Sequence, residues 1–183
     1  MRFKKVRGGG VSADVAPVEA HVLAQCAADL LALLAEDEDE DAPAQDPLAA
    51  MVGMPTGDVE APDDPALARL LPDAYGDDDP EASREFRRYT DSDLRAGKSA
   101  HAGTVLATLP PEGGRLLLDR DGADAWLGCL NDLRLVLGTR LEVTEELDET
   151  TLPEDDPRQQ ALQVYGWLGW LQESLISCLS PRR

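Results

Sequence analysis

Apolar residues recur at helical spacing in three long stretches of this chain, separated by segments rich in acid, proline and glycine. In the run Trp126–Leu141, Trp126, Leu130, Leu133, Leu137 and Leu141 form one stripe, widened by Leu127, Cys129 and Val136. This predicts a buried central helix over about 120–141, capped by Asp119. Val22, Cys26, Leu30 and Leu33, with Leu23 and Leu34, predict a helix that starts at Pro17 and ends near Glu36. Val164, Trp167, Leu168, Leu171, Leu175, Cys178 and Leu179 share one face of a last helix, from Pro157 to about Leu179. Shorter helices are expected over Asp64–Leu71, over Asp79–Arg88, and from a Thr90 or Asp91 cap to Leu109, before Pro110-Pro111. Residues 2–7 and 11–15 flank Gly8-Gly9-Gly10 in a hairpin pattern, and Arg115–Leu118 is a strand that could join them. The expected fold is mainly α: one domain over 1–183, a helical bundle around the 120–141 helix, with a small β-hairpin over 2–15.

Two charges interrupt the apolar faces. Arg134 projects between Leu130 and Leu127 on the central helix, and Glu19 projects onto the apolar side of the first. Each is costly to bury alone, so the sequence suggests a partly buried Glu19–Arg134 ion pair holding two helices in register. Trp170 points away from the stripe of the last helix. It either packs on a neighbouring loop or stands as an anchor for a protein contact.

The charge balance narrows the partners. With 36 Asp and Glu against 17 Lys and Arg, the net charge is −19, which repels nucleic acid and anionic membrane at long range. No Lys or Arg occurs between Arg7 and Arg69, and residues 37–64 read as an acidic, partly disordered loop. No run of about 18 apolar residues suggests a spanning helix, and the opening Met-Arg-Phe-Lys-Lys leads into glycines, not a signal core, so a cytoplasmic protein is expected.

Candidate chemistry is sparse. Gly97-Lys98-Ser99 imitates the end of a phosphate loop, but Ser92 stands where the first glycine belongs and a helix is predicted in place of the strand. Asp119-Arg120-Asp121-Gly122 lacks the further ligands of a calcium loop, and helix capping explains it. His21 and His101 have no metal-like spacing with a cysteine. No nucleophile signature is present, so no enzyme, metal or cofactor is expected. Arg84, Arg87, Arg88, Arg95 and Lys98, with Phe86 and Tyr89 among them, form a basic concentration. It is either a contact face, for nucleic acid or, through Arg87 and Arg88, for protein, or a set of internal salt bridges to Glu81, Glu85, Asp91 and Asp93. Cys26, Cys129 and Cys178 lie on apolar helix sides and suit a reducing compartment. They are small core residues unless a thiolate, access and a partner thiol make one of them a redox sensor. Arg140, on the same side of its helix as Cys129, is the cation that could favour such a thiolate.

Three segments together carry a resemblance. They are Arg69-Leu-Leu-Pro-Asp-Ala-Tyr75 with Glu85-Phe-Arg-Arg88, the Trp126–Leu141 run, and Tyr165-Gly-Trp-Leu-Gly-Trp-Leu-Gln172. In these the chain resembles an actinobacterial domain-of-unknown-function family known in places as the oxidative-stress transcriptional regulator AosR, often encoded beside the proteolytic adaptor ClpS. The resemblance covers most of the chain. It implies a non-enzymatic cytoplasmic regulator of transcription in oxidative stress, without catalytic residues, acting through a protein such as a sigma factor or an RNA polymerase component. An adaptor of regulated proteolysis and direct DNA binding through Arg84–Lys98 are the alternatives, and a homodimer is open.

Overall fold

The central helix is built as its stripe predicts, and the other elements are arranged around it. The computed structural model describes residues 1–7, 9–35, 61–75, 79–144 and 156–180. In chain order the elements are β1 (Lys4–Lys5), β2 (Val11–Val15), α1 (Pro17–Ala35), α2 (Pro65–Leu70), α3 (Pro80–Thr108), β3 (Gly114–Leu118), α4 (Arg120–Arg140) and α5 (Gln159–Leu179). Most of the expected acidic loop over 37–64 falls outside the described residues, apart from its last four positions. Asp64 ends it by capping α2, accepting from the Ala66 and Leu67 amides. Asp79 and Asp119 start α3 and α4 in the same way, with Pro80 in the first turn of α3.

The expected strand at 115–118 does join the hairpin. β1, β2 and β3 form an antiparallel sheet in that order, with Val11 opposite Leu118 and Val15 opposite Gly114. Val11, Ala13, Val15, Leu116 and Leu118 face the core, while Leu117 faces out. Gly113 needs to be glycine twice over. Its φ is +75°, and a Cβ would stand 2.8 Å from the Pro17 nitrogen and the Val15 carbonyl.

α4 packs on α3 and α5 most extensively, then on α2, α1 and β3. Trp126 sits at the meeting point, fully buried. Its indole N–H donates to Thr108 Oγ1 at the end of α3 (2.9 Å), and its ring takes Phe3 edge-on at 5.8 Å. Opposite His101 of α3, α4 carries Gly128, where a Cβ would lie 2.4 Å from the imidazole; the two helices meet closely there.

Three expectations need correction. The two helices predicted over 79–109 are one, because neither supposed cap at the joint acts as a cap. Thr90 Oγ1 donates back to the Phe86 carbonyl, and Asp91 is engaged by Arg95 and Arg87. In α1 the buried residues are Ala20, Leu23, Ala27, Leu30, Leu33 and Leu34, which leaves Val22 and Cys26 at the margin of the buried face. α1 is also long and apolar enough, with a mean hydropathy of 1.5, to cross a membrane by composition alone. In the fold it packs against α3 and α4.

Truncating Trp126 to Ala removes the hub's ring and leaves a cavity, so the expected loss is about 3–5 kcal/mol. Urea unfolding monitored by circular dichroism measures it, and a loss under about 1 kcal/mol would mean that the bundle does not depend on this residue.

Candidate functional site

The charges among the helices are held by specific partners. Glu19 and Arg134 do not pair. The Glu19 carboxylate takes the Met1 amino group on one oxygen and the Ala16 amide on the other at 2.8 Å, an arrangement that holds its pKa below the usual range against the opposing effect of burial. Arg134 leans instead towards α5. Its guanidinium donates to Gln172 Oε1 at 2.8 Å and Tyr165 Oη at 3.3 Å, and it lies over the Tyr165 ring at 5.1 Å. Gly169 makes room for it, since a Cβ there would stand 3.3 Å from Arg134 Nε. The cation that looked misplaced in the apolar stripe therefore fastens α4 to α5, with aromatic and amide partners in place of a carboxylate.

A different ion pair is buried, one the sequence reading missed. Lys98 of α3 reaches Asp132 of α4 at 2.7 Å, and only 4% of the Asp132 side chain is exposed. The signal was present: Asp132 lies between Cys129 and Leu133 on the buried side of α4, whereas the salt-bridge partners considered for Lys98 were the acids of its own helix region, Glu81, Glu85, Asp91 and Asp93.

The basic concentration on α3 is largely consumed in the same way. Arg87, buried, donates to the Leu71 carbonyl and pairs with Asp73 and Asp91. Arg95 pairs with Asp91 and donates to the Leu34 carbonyl, tying α3 to the end of α1. Arg87 is therefore corrected from a contact residue to a structural one. Arg88 is half-buried, with its guanidinium 5.6 Å from the centre of the Tyr89 ring. Trp170 is 45% exposed on the outer side of α5, the side the stripe assigned to it.

The three thiols are free. Cys129 is fully buried, and its pKa is pushed up to about 12, by desolvation first and then by the negative charge of Asp132 and of a Cys26 thiolate. Cys26 is half-buried and also raised, by burial and by Asp29 on the next turn. Arg140 gives no thiolate support, because it pairs with Asp64. Cys26 and Cys129 are thus electrostatic neighbours across the α1–α4 contact, while Cys178 is half-buried on α5. Among the described residues no three His, Cys, Asp or Glu side chains gather in a way that could hold a metal ion.

A family model described as Domain of unknown function (DUF2017) matches residues 1–179. Over 197 aligned residues the chain is 38% identical to the Oxidative stress regulator AosR of Mycobacterium tuberculosis (strain ATCC 25618 / H37Rv), spanning 100% of this chain and 89% of that one. The protein of the same name from Mycobacterium bovis gives the same figures. The Putative oxidative stress regulator AosR of Mycobacterium leprae is 34% identical over 190 residues, covering 97% of this chain and 86% of its own length. No solved structure matches the chain.

Asp132→Ala strands Lys98 and is expected to cost about 3–5 kcal/mol, whereas Lys98→Met with Asp132→Leu is expected to stay near wild type. Equal losses in denaturant midpoint for both variants would contradict that account. For Cys129, the folded chain keeps a proton that the unfolded chain releases above pH 9, the ordinary value. Stability therefore falls as pH rises from about 9 to about 12, and Cys129→Val flattens that fall. In the native state at pH 8 iodoacetamide should leave Cys129 unmodified, which peptide mass mapping checks.

Proposed function

The chain belongs to the DUF2017 family, and on that premise we propose that it is a non-enzymatic regulator of the oxidative-stress response, acting in the cytoplasm through protein contacts with the transcription machinery, such as a sigma factor or an RNA polymerase component. The observation that carries this reading is the full-length similarity to mycobacterial proteins named Oxidative stress regulator AosR. A regulatory role follows from that likeness; the mode of action is the proposal.

Two physical features support contact with protein rather than DNA. The net charge of −19 opposes a polyanion and favours basic protein surfaces. Arg87, Arg95 and Lys98, three of the five cations that would have formed a DNA face, are turned to internal carboxylates. The adaptor reading has no comparable residue in its favour.

Deleting the gene and restoring it on a plasmid, followed by transcript profiling before and after peroxide, tests the regulatory reading. Peroxide-dependent transcripts should change on deletion and return on restoration; an unchanged profile would overturn it. Affinity purification of the tagged chain from the same cells is expected to bring a sigma factor or RNA polymerase subunit. Recovery of a protease subunit in its place would favour the adaptor role. Intact mass and non-reducing gels, before and after mild peroxide, test whether the thiols take part. A two-proton loss at monomer mass or a disulfide dimer, reversed by reductant and abolished by one Cys→Ser change, is the sensing outcome, and three unreactive native thiols would return Cys26, Cys129 and Cys178 to a packing role.

A further inference from the structure

A shallow cleft runs between the segment after α2 and the outer face of α3. One wall is Pro72 to Ala74; the other is Phe86, Thr90 and Leu94, spaced four residues apart along the helix. Its floor is a second helical row, Ser83, Arg87 and Asp91, all buried. Arg87 and Asp91 are satisfied by each other, Asp73, Arg95 and the Leu71 carbonyl. Ser83 differs. It is 4% exposed, and its Oγ has no hydrogen-bond partner among the described residues. Thr90 and Thr104 on the same helix return their hydroxyls to the carbonyl four residues back; Ser83 does not. A buried hydroxyl left in this state is unfavourable, and the cleft above it has room for one water-sized group.

Exposed apolar and aromatic side chains stand at the cleft, in Phe86 and Leu94 of its lining, and beside it, in Tyr75 and Tyr89. Tyr75, Phe86, Tyr89 and Leu94 are between 41% and 54% exposed, and Tyr75 meets Phe86 edge-on at 6.2 Å. Phe86, Tyr89 and exposed Asp93 stand at i, i+3 and i+7, so aromatic and acidic groups share one helix face. Asp73, on the opposite wall, keeps 38% of its side chain in solvent. A second copy of this chain would bring the same −19 charge to the contact, which long-range repulsion disfavours.

We propose that this cleft is a docking surface for a basic amphipathic segment of a partner protein, with apolar side chains on Phe86 and Leu94, cations towards Asp93 and Asp73, and one small polar group bonded to Ser83 Oγ. The proposal rests on the reading of the chain as a regulator that acts through protein contacts, and it gives that contact a location and a chemistry.

The test uses the full-length 15N-labelled chain and a synthetic helix of about five turns with Leu and Lys on opposite faces, at about 0.15 M salt. Amide shifts are expected to concentrate at residues 71–75 and 83–94. Phe86→Ser and, separately, Leu94→Ser should weaken the dissociation constant about tenfold with unchanged circular dichroism, since a few anchors dominate such contacts. Ser83→Ala should weaken binding without lowering the unfolding midpoint, which separates a ligand contact from a structural one. Shifts scattered over the acidic surface, equal binding of a Lys/Ser peptide of the same charge, or full affinity in both Ser variants would overturn the proposal. So would sedimentation showing a homodimer that Phe86→Ser dissociates. None of these failures touches the transcript profile, so the regulatory reading stands or falls separately.

Discussion

A helix surrounded on most sides has little tolerance for polar groups, and α4 is in that position, with α3, α5, α2, α1 and β3 all packed on it. The polar side chains it carries inward meet specific neighbours, although the Arg134 Nε itself has no hydrogen-bond partner among the described residues. Trp126 answers to Thr108, Asp132 to Lys98, and Arg134 to Tyr165 and Gln172. Apolar burial drives the bundle together but does not choose a register, because hydrophobic contact is non-directional. The directional bonds of α4 supply that choice, since sliding α3 or α5 by one turn would leave a buried donor or carboxylate unanswered.

The same logic extends to four cations outside α4's core face. Arg87, Arg95, Lys98 and Arg140 are each placed against a carboxylate, and two of them also reach a backbone carbonyl at the end of another element. These four join parts of the fold, while Phe86, Tyr89 and Trp170 stay exposed on a chain whose net charge is −19. A net charge of that size opposes a polyanion at long range and attracts basic surfaces.

What could be read in the sequence was what depends on neighbours along the chain. The aspartates before α2, α3 and α4 marked their starts, the stripes marked α1, α4 and α5, and the short run Arg115–Leu118 between Pro110-Pro111 and the Asp119 cap marked a strand for the hairpin. What could not be read was pairing through space. Helical projection placed Glu19 and Arg134 each on an inward side, yet nothing in one sequence states which helix faces which, and both found nearer partners. The supposed break near Thr90 failed for a related reason: a capping residue caps only when its side chain is not already bonded within the helix. In the candidate site, the exposure of Trp170 was legible from its place off the stripe, and salt bridging of Arg87 to Asp91 was one of the readings the sequence offered, whereas its reach to Asp73 and the Leu71 carbonyl and the unpaired hydroxyl of Ser83 were not legible.

The pairing of β2 with β3 bears on how the protein is made. Val11 meets Leu118, a residue more than a hundred positions later, and the two strands enclose α1, α2 and α3 between them in the chain. During synthesis the first strands therefore emerge long before the partner that completes their sheet, and their core-facing Val11, Ala13 and Val15 must wait uncovered. Closing so long a loop is slow compared with forming helices, so the nascent chain is most vulnerable to capture or degradation before Leu118 has left the ribosome.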